Sequence, residues 1–193
     1  MPDAEEVQEL GRRGVAAIKQ WLEATTFIEL NWNVYEDPAM CVMVCADGSQ
    51  KKFDLAGSFI GSRRDPVVVE CKWYNSSNSQ HKYFKEFLAI AYSSTIRDTK
   101  DRGADAKREY IWVTKHPFQI SEWATLTTEA KIRQSVEANS ALLNNEPIDD
   151  ATISKLAQRV WVLVMHEKQE AISLPNHELM AVLTVLKRKE STL

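Results

Sequence analysis

The sequence predicts a mixed three-layer α/β fold, and three observations carry that prediction. Apolar residues recur at three- and four-residue intervals near both ends and in the middle of the chain, which marks amphipathic helices. Short β-rich segments separated by turn residues follow the first of these. Two short apolar runs lie beyond later helical stretches, where buried parallel strands belong.

Taken in order, Val7, Leu10, Gly14, Ile18 and Trp21 form one stripe of a helix over 5–24. Two β-rich runs, 27–35 and 40–46, follow, separated by the turn-prone Glu36-Asp37-Pro38. Asp47-Gly48 is a hairpin signal leading into KKFDLAGSFIG, 51–61, and GSRRDP, 61–66, closes another hairpin into VVVECKWY, 67–74. The second, third and fourth strands thus read as an antiparallel meander. A polar loop, 75–79, precedes a helix over 81–97 with Tyr83, Phe84, Phe87, Leu88, Ile90 and Ala91 at helical spacing. The charged stretch 98–109, which contains Gly103, reads as a solvated loop.

YIWVT, 110–114, reads as a buried strand ended by His116-Pro117, and 119–143 as mostly helical. A turn over 144–150 and a short helix over 153–158 lead into the strand RVWVLVMH, 159–166. Asn176 caps a last helix, 177–189, with Lys187, Arg188 and Lys189 at its end, where the helix dipole favours cations. Helical crossovers joining a meander to parallel strands give a mixed central sheet flanked by helices.

With 193 residues, one domain is expected, its core at about 11–114 and an α/β extension over 115–193. A net charge of −3 and a pI near 5.9 exclude global attraction to nucleic acid, so any such binding needs a local basic patch. The acidic start MPDAEEVQEL lacks the features of a signal peptide, and no apolar run approaches a membrane span, which leads us to expect a cytoplasmic protein. Three cysteines, an odd number, fit reduced thiols; Cys41 and Cys45 read as buried small side chains, with no second pair to complete a zinc set. No Gly-rich phosphate loop, Ser nucleophile elbow or Cys-His signature is present.

The segment VVVECKWY carries the chemistry. Residues 70 and 72 of a strand share one face, so Glu70 and Lys72 emerge side by side while Cys71 points the other way. One strand earlier, Asp54 stands among the apolar Phe53, Leu55 and Ala56. If the 61–66 turn pairs the two strands, Asp54 comes near Glu70, and neighbouring carboxylates need a cation between them or a proton on one of them. Mg²⁺ suits such a set, with Asp54, Glu70 and the Cys71 backbone carbonyl as oxygen ligands. Lys72 would then position a water or stabilise charge developing at phosphorus.

This arrangement resembles the PD-(D/E)xK nuclease superfamily, the restriction-endonuclease-like fold, on Asp54, Glu70 and Lys72. A lone Glu-x-Lys arises by chance in any amphipathic strand; the points of specificity are the upstream Asp, the polar turn between and the order of helices. The likeness covers 11 to about 114, and the opening helix GRRGVAAIKQWLEATTF is similar to that of archaeal Holliday-junction resolvases. It implies a Mg²⁺-dependent endonuclease acting on DNA, with Mn²⁺ as a substitute, in restriction or anti-phage defence or in recombination or repair. It further implies Gln80 or Lys82 as an accessory at the start of the next helix, a homodimer, or a partner ATPase or helicase. Where many members carry a helical metal-binding Glu, this chain has Val15, with Glu9 nearly two turns away as the substitute candidate. Phe53 stands where the superfamily has Pro.

Other candidates have simpler accounts. Asp65 is too near Glu70 to lie on a neighbouring strand and reads as a turn residue, as do Arg63 and Arg64. Lys51 and Lys52 are equally outward strand charges or part of a nucleic-acid groove. Trp73 and Tyr74 read as packing residues and His81 as a surface histidine. A non-catalytic module with the same fold is the rival class.

Overall fold

The apolar stripe near the start of the chain becomes α1 (Ala4–Thr25), which lies on one face of the central sheet. In this computed structural model, residues 4–60, 64–73 and 79–185 are described. The strands β1 (Ile28–Asn33), β2 (Val42–Val44), β3 (Gln50–Lys52), β4 (Leu55–Phe59) and β5 (Pro66–Lys72) lead to α2 (Gln80–Arg102) and β6 (Glu109–Thr114). Then come α3 (Glu129–Ala138), α4 (Asp150–Ala157), β7 (Val160–Val164), α5 (Glu167–Glu170) and α6 (Asn176–Val185).

Five strands form one sheet in the order β1-β4-β5-β6-β7. The first two pairings are antiparallel and the last two parallel, so the sheet is mixed as the sequence predicts. Both faces are covered, which is why β5 is apolar on both sides. Val67 and Val69 meet Val15, Ile18 and Leu22 of α1, together with Leu55, Ile111 and Val113. Val68 turns the other way, toward Phe84, Phe87 and Leu88 of α2, beyond which Ile132 of α3 and Ile153 of α4 complete the core.

The meander differs from the one expected. Residues 42–52 leave the central sheet and form a separate hairpin, β2 with β3, in which Met43 faces Lys51. The strand that joins β5 is β4, with β1 on its other side. Burial explains the departure, because Cys41 and Cys45 on either side of β2 are drawn fully into the α2-side core. Phe53 follows them in at 2 % exposure, and the chain bends at Asp54 before re-entering the sheet at Leu55, opposite Val69.

The expected loop over 98–109 is also shorter. Helix α2 continues to Arg102 and stops where Gly103 takes a left-handed φ of 71°. An Arg97–Asp101 pair at 2.7 Å, one turn apart, supports the added turns, and Lys100 and Arg102 suit the helix C-terminus. Residues 119–143 are helical in three pieces, two 3₁₀ segments flanking α3, whose Thr128 side chain caps it by accepting from the Lys131 N–H. The basic end expected at 187–189 lies outside the described residues. Among the described residues no helix is long and apolar enough to cross a membrane.

Candidate functional site

Strand β5 ends at the residues singled out above, and its alternation sets their directions. Glu70 and Lys72 continue the face of Val68, toward α2, while Cys71 continues the face of Val69, toward α1. The Lys72 Nζ donates to Glu70 Oε1 at 2.5 Å. That ammonium also lies 5.3 Å from the Trp112 ring centroid and 5.8 Å from that of Tyr83, so aromatic faces share in holding it.

Asp54 is placed by backbone. At the bend before β4 its N–H donates to the Val69 carbonyl at 3.0 Å, and its own carbonyl accepts from the Val34 N–H at 2.9 Å. Its carboxylate then accepts from the Cys71 N–H at 2.7 Å, taking the place that a strand carbonyl would occupy in the ladder. The Asp54 carboxyl is pushed up to about 7, first by burial and second by the negative charge of Glu70, against the pull of the Cys71 N–H and Lys72. With β4 paired to β5, Asp54 lies within electrostatic reach of both Glu70 and Lys72.

The Cys71 carbonyl belongs to the same corner. Lys72 spends its carbonyl on β6, accepting from the Lys115 N–H at 3.0 Å, and backbone groups alternate sides along a strand. The polar groups of Cys71 consequently face Asp54. Its thiol, enclosed on the α1 side, is raised well above the ordinary range by burial.

Two clefts open at this end of the sheet, one on each face. Asp54, Cys71 and Trp73 line the α1-side cleft, about 310 Å³, with Tyr35, Gly11 and Val15. Glu70 lines the α2-side cleft, about 200 Å³, with Lys51, Lys52, Glu86 and Trp112. Lys72 lines both. The two carboxylates thus line clefts on different faces at the end of β5, and Lys72, paired with Glu70, lines both.

The other candidates are placed as follows. Glu9 is exposed on α1, whereas Gly11 and Val15, four residues apart on one helical face, lie over the cleft; Val15 is buried at 5 % exposure. The phase of the helix is set by contacts that leave no room for side chains: a Cβ at Gly11 would stand 2.8 Å from the Tyr35 hydroxyl, and one at Gly14 only 2.3 Å from Trp73 Cβ. Gln80 is fully buried, its Oε1 accepting from Thr114 Oγ1 at 2.7 Å and its amide reaching the His116 carbonyl at 3.4 Å. It clamps the start of α2 to the end of β6. Lys82 and His81 are exposed.

Asp65 lies immediately before β5, its carbonyl accepting from the Phe59 N–H. Trp73 packs on the α1-side core. Cys41 and Cys45 are buried, and burial raises the Cys41 thiol to about 11. Arg63 and Tyr74 lie outside the described residues. Residues the sequence did not single out are Tyr35, with the Arg12 guanidinium 5.3 Å from its ring, and Glu86 and Trp112 in the α2-side cleft. No spacing in the sequence marks them, since each arrives from a different element.

Among the described residues no three His, Cys, Asp or Glu side chains gather into a group fit to hold a metal. The available oxygen set is two carboxylates and one backbone carbonyl, a donor chemistry that suits Mg²⁺, which keeps several of its waters. No family model, characterised protein or solved structure matches the chain.

Proposed function

We propose that this chain is a Mg²⁺-dependent hydrolase of DNA phosphodiester bonds. The observation that carries the reading is that the end of β5 gathers the partly buried Asp54 carboxylate, which accepts from the Cys71 N–H, and the Glu70–Lys72 ion pair. Partly burying two carboxylates within electrostatic reach of each other is costly unless a cation offsets their charge.

In this reading Asp54, Glu70 and the Cys71 carbonyl would hold the ion, with Mn²⁺ as substitute. A bound divalent ion supplies Lewis acidity at phosphorus and makes water a better nucleophile. Lys72, the counter-ion of Glu70, is placed to orient that water or to stabilise charge developing on the phosphoryl oxygens. Gln80 acts as a brace, tying the start of α2 to the end of β6. The likeness to PD-(D/E)xK nucleases supports DNA as the substrate and defence, recombination or repair as the setting.

The test is incubation of the purified protein with circular, linear and branched DNA in Mg²⁺ or in EDTA. Cutting that needs the metal and is lost in Lys72→Ala, with the circular dichroism spectrum unchanged, supports hydrolysis. A second reading, a nuclease-like module that does not cut, is favoured by the apolar Val15 over the cleft and by the closed Lys72–Glu70 pair. Folded protein that cuts nothing under any of these conditions establishes the module. Cutting that appears only when an ATPase or helicase partner is added identifies a dependent subunit.

A further inference from the structure

We propose that the β2–β3 hairpin is the arm by which the candidate site grips DNA, with Lys51 and Lys52 taking backbone phosphates and Glu86 holding Lys51 ready. The inference rests on the hydrolase reading for the identity of the site and adds the surface that holds the polyanion.

The hairpin is built as a rigid outrigger. It stands apart from the central sheet, yet Cys41 and Cys45, one at each end of its first strand, fix both ends of that strand in the core. The Ala46 N–H donates to Ser93 Oγ of α2 at 2.8 Å, and that hydroxyl donates onward to the Leu142 carbonyl at 2.6 Å. What this anchoring presents is the second strand, whose Lys51 and Lys52 line the cleft that contains Glu70 and Lys72. Three lysines meet two glutamates there, on a chain whose overall charge is −3. A local cationic excess beside the candidate site is what a chain with no global attraction to nucleic acid requires.

Glu86 gives the arm its resting state. Lys51 Nζ lies 2.7 Å from Glu86 Oε1, with about a third or more of both side chains still in solvent. An ion pair so exposed is weak enough for a phosphate to displace the carboxylate. Lys52, exposed next to it, is available to a neighbouring phosphate. Long, flexible ammonium side chains suit a backbone that is held without regard to base sequence.

The test is fluorescence anisotropy with a labelled DNA duplex in EDTA, where nothing is cut, over a series of NaCl concentrations. Replacing both lysines, Lys51→Ala with Lys52→Ala, is expected to weaken binding roughly tenfold to a hundredfold at low salt and to reduce the slope of log affinity against log salt by about two. Glu86→Gln is expected to tighten binding by up to about fivefold, by releasing Lys51. Lys100→Ala, which removes one lysine charge away from the cleft, where α2 meets Glu146, is expected to leave the slope unchanged. An unchanged slope in the double variant overturns the inference, as does an equal loss in Lys100→Ala or a wild type that does not bind. Metal-dependent cutting of DNA, measured separately, decides the hydrolase reading whichever way the arm is decided.

Discussion

A carboxyl that titrates near 7 links the site to the stability of the whole chain. Asp54 has an ordinary value of 3.8 and is raised to about 7 in the folded protein. Between those values the folded chain holds a proton that the unfolded chain has released, so the stability this group contributes is complete below about pH 4 and is lost as pH rises through about 7. Asp54→Asn keeps an oxygen acceptor for the Cys71 N–H and removes the charge. Melting curves in EDTA at pH 5 and pH 8 should show the wild type losing a few kcal/mol that the variant retains, and equal pH dependence in both would refute this account of Asp54. On the proposed function, Lys72→Ala should lower metal-dependent cutting by about 10²–10³-fold, as removal of one charge-stabilising donor does elsewhere. Lys72→Arg should not restore it, since a planar guanidinium does not replace a compact ammonium between Glu70 and two aromatic rings.

At the scale of elements, the end of β5 is positioned by what packs against it. Gly14 lets Trp73, the residue after Lys72, lie directly on α1. Gly14→Ala puts a methyl against Trp73 Cβ and should cost about 1–3 kcal/mol, measured by urea denaturation, while lowering DNA cutting through displacement of the strand end. Much of this arrangement was legible in the sequence. The period of two along β5 put Glu70 and Lys72 on one face, the turn before β5 pointed to Asp54 as their neighbour, and the stripe of α1 was plain. The departure of β2 and β3 was not, because Asp47-Gly48 specifies a tight turn without saying which sheet its strands join. That choice is made by burial of Cys41 and Cys45 against α2, a contact distant in sequence. The length of α2 was hidden for a similar reason, since charged residues suit a loop or a solvated helical face equally, and the Arg97–Asp101 pair shows only in the folded chain. Nor did the sequence reveal that Gly11 and Val15, rather than Glu9, face the cleft, because Tyr35 and Trp73 set that phase.

Across the whole molecule the candidate site sits at the carboxyl ends of the parallel strands β5 and β6, where open α/β sheets leave a crevice between the covering helices. Helix α1 closes one side and α2 the other, and Lys72 reaches into the cleft on each. Metal binding should therefore stabilise the entire fold: Mn²⁺ at saturating concentration should raise the wild-type melting temperature at pH 8, with little effect on Asp54→Asn. The most direct measurement of the central claim is calorimetric titration of Mn²⁺ at pH 8 into wild type, Asp54→Asn, Glu70→Gln and Lys72→Ala. The account predicts one site in the wild type, lost in both carboxylate variants and kept or tightened in Lys72→Ala, which frees Glu70 of its competing cation. A wild type that takes up no ion, or a site that survives removal of both carboxylates, would contradict it.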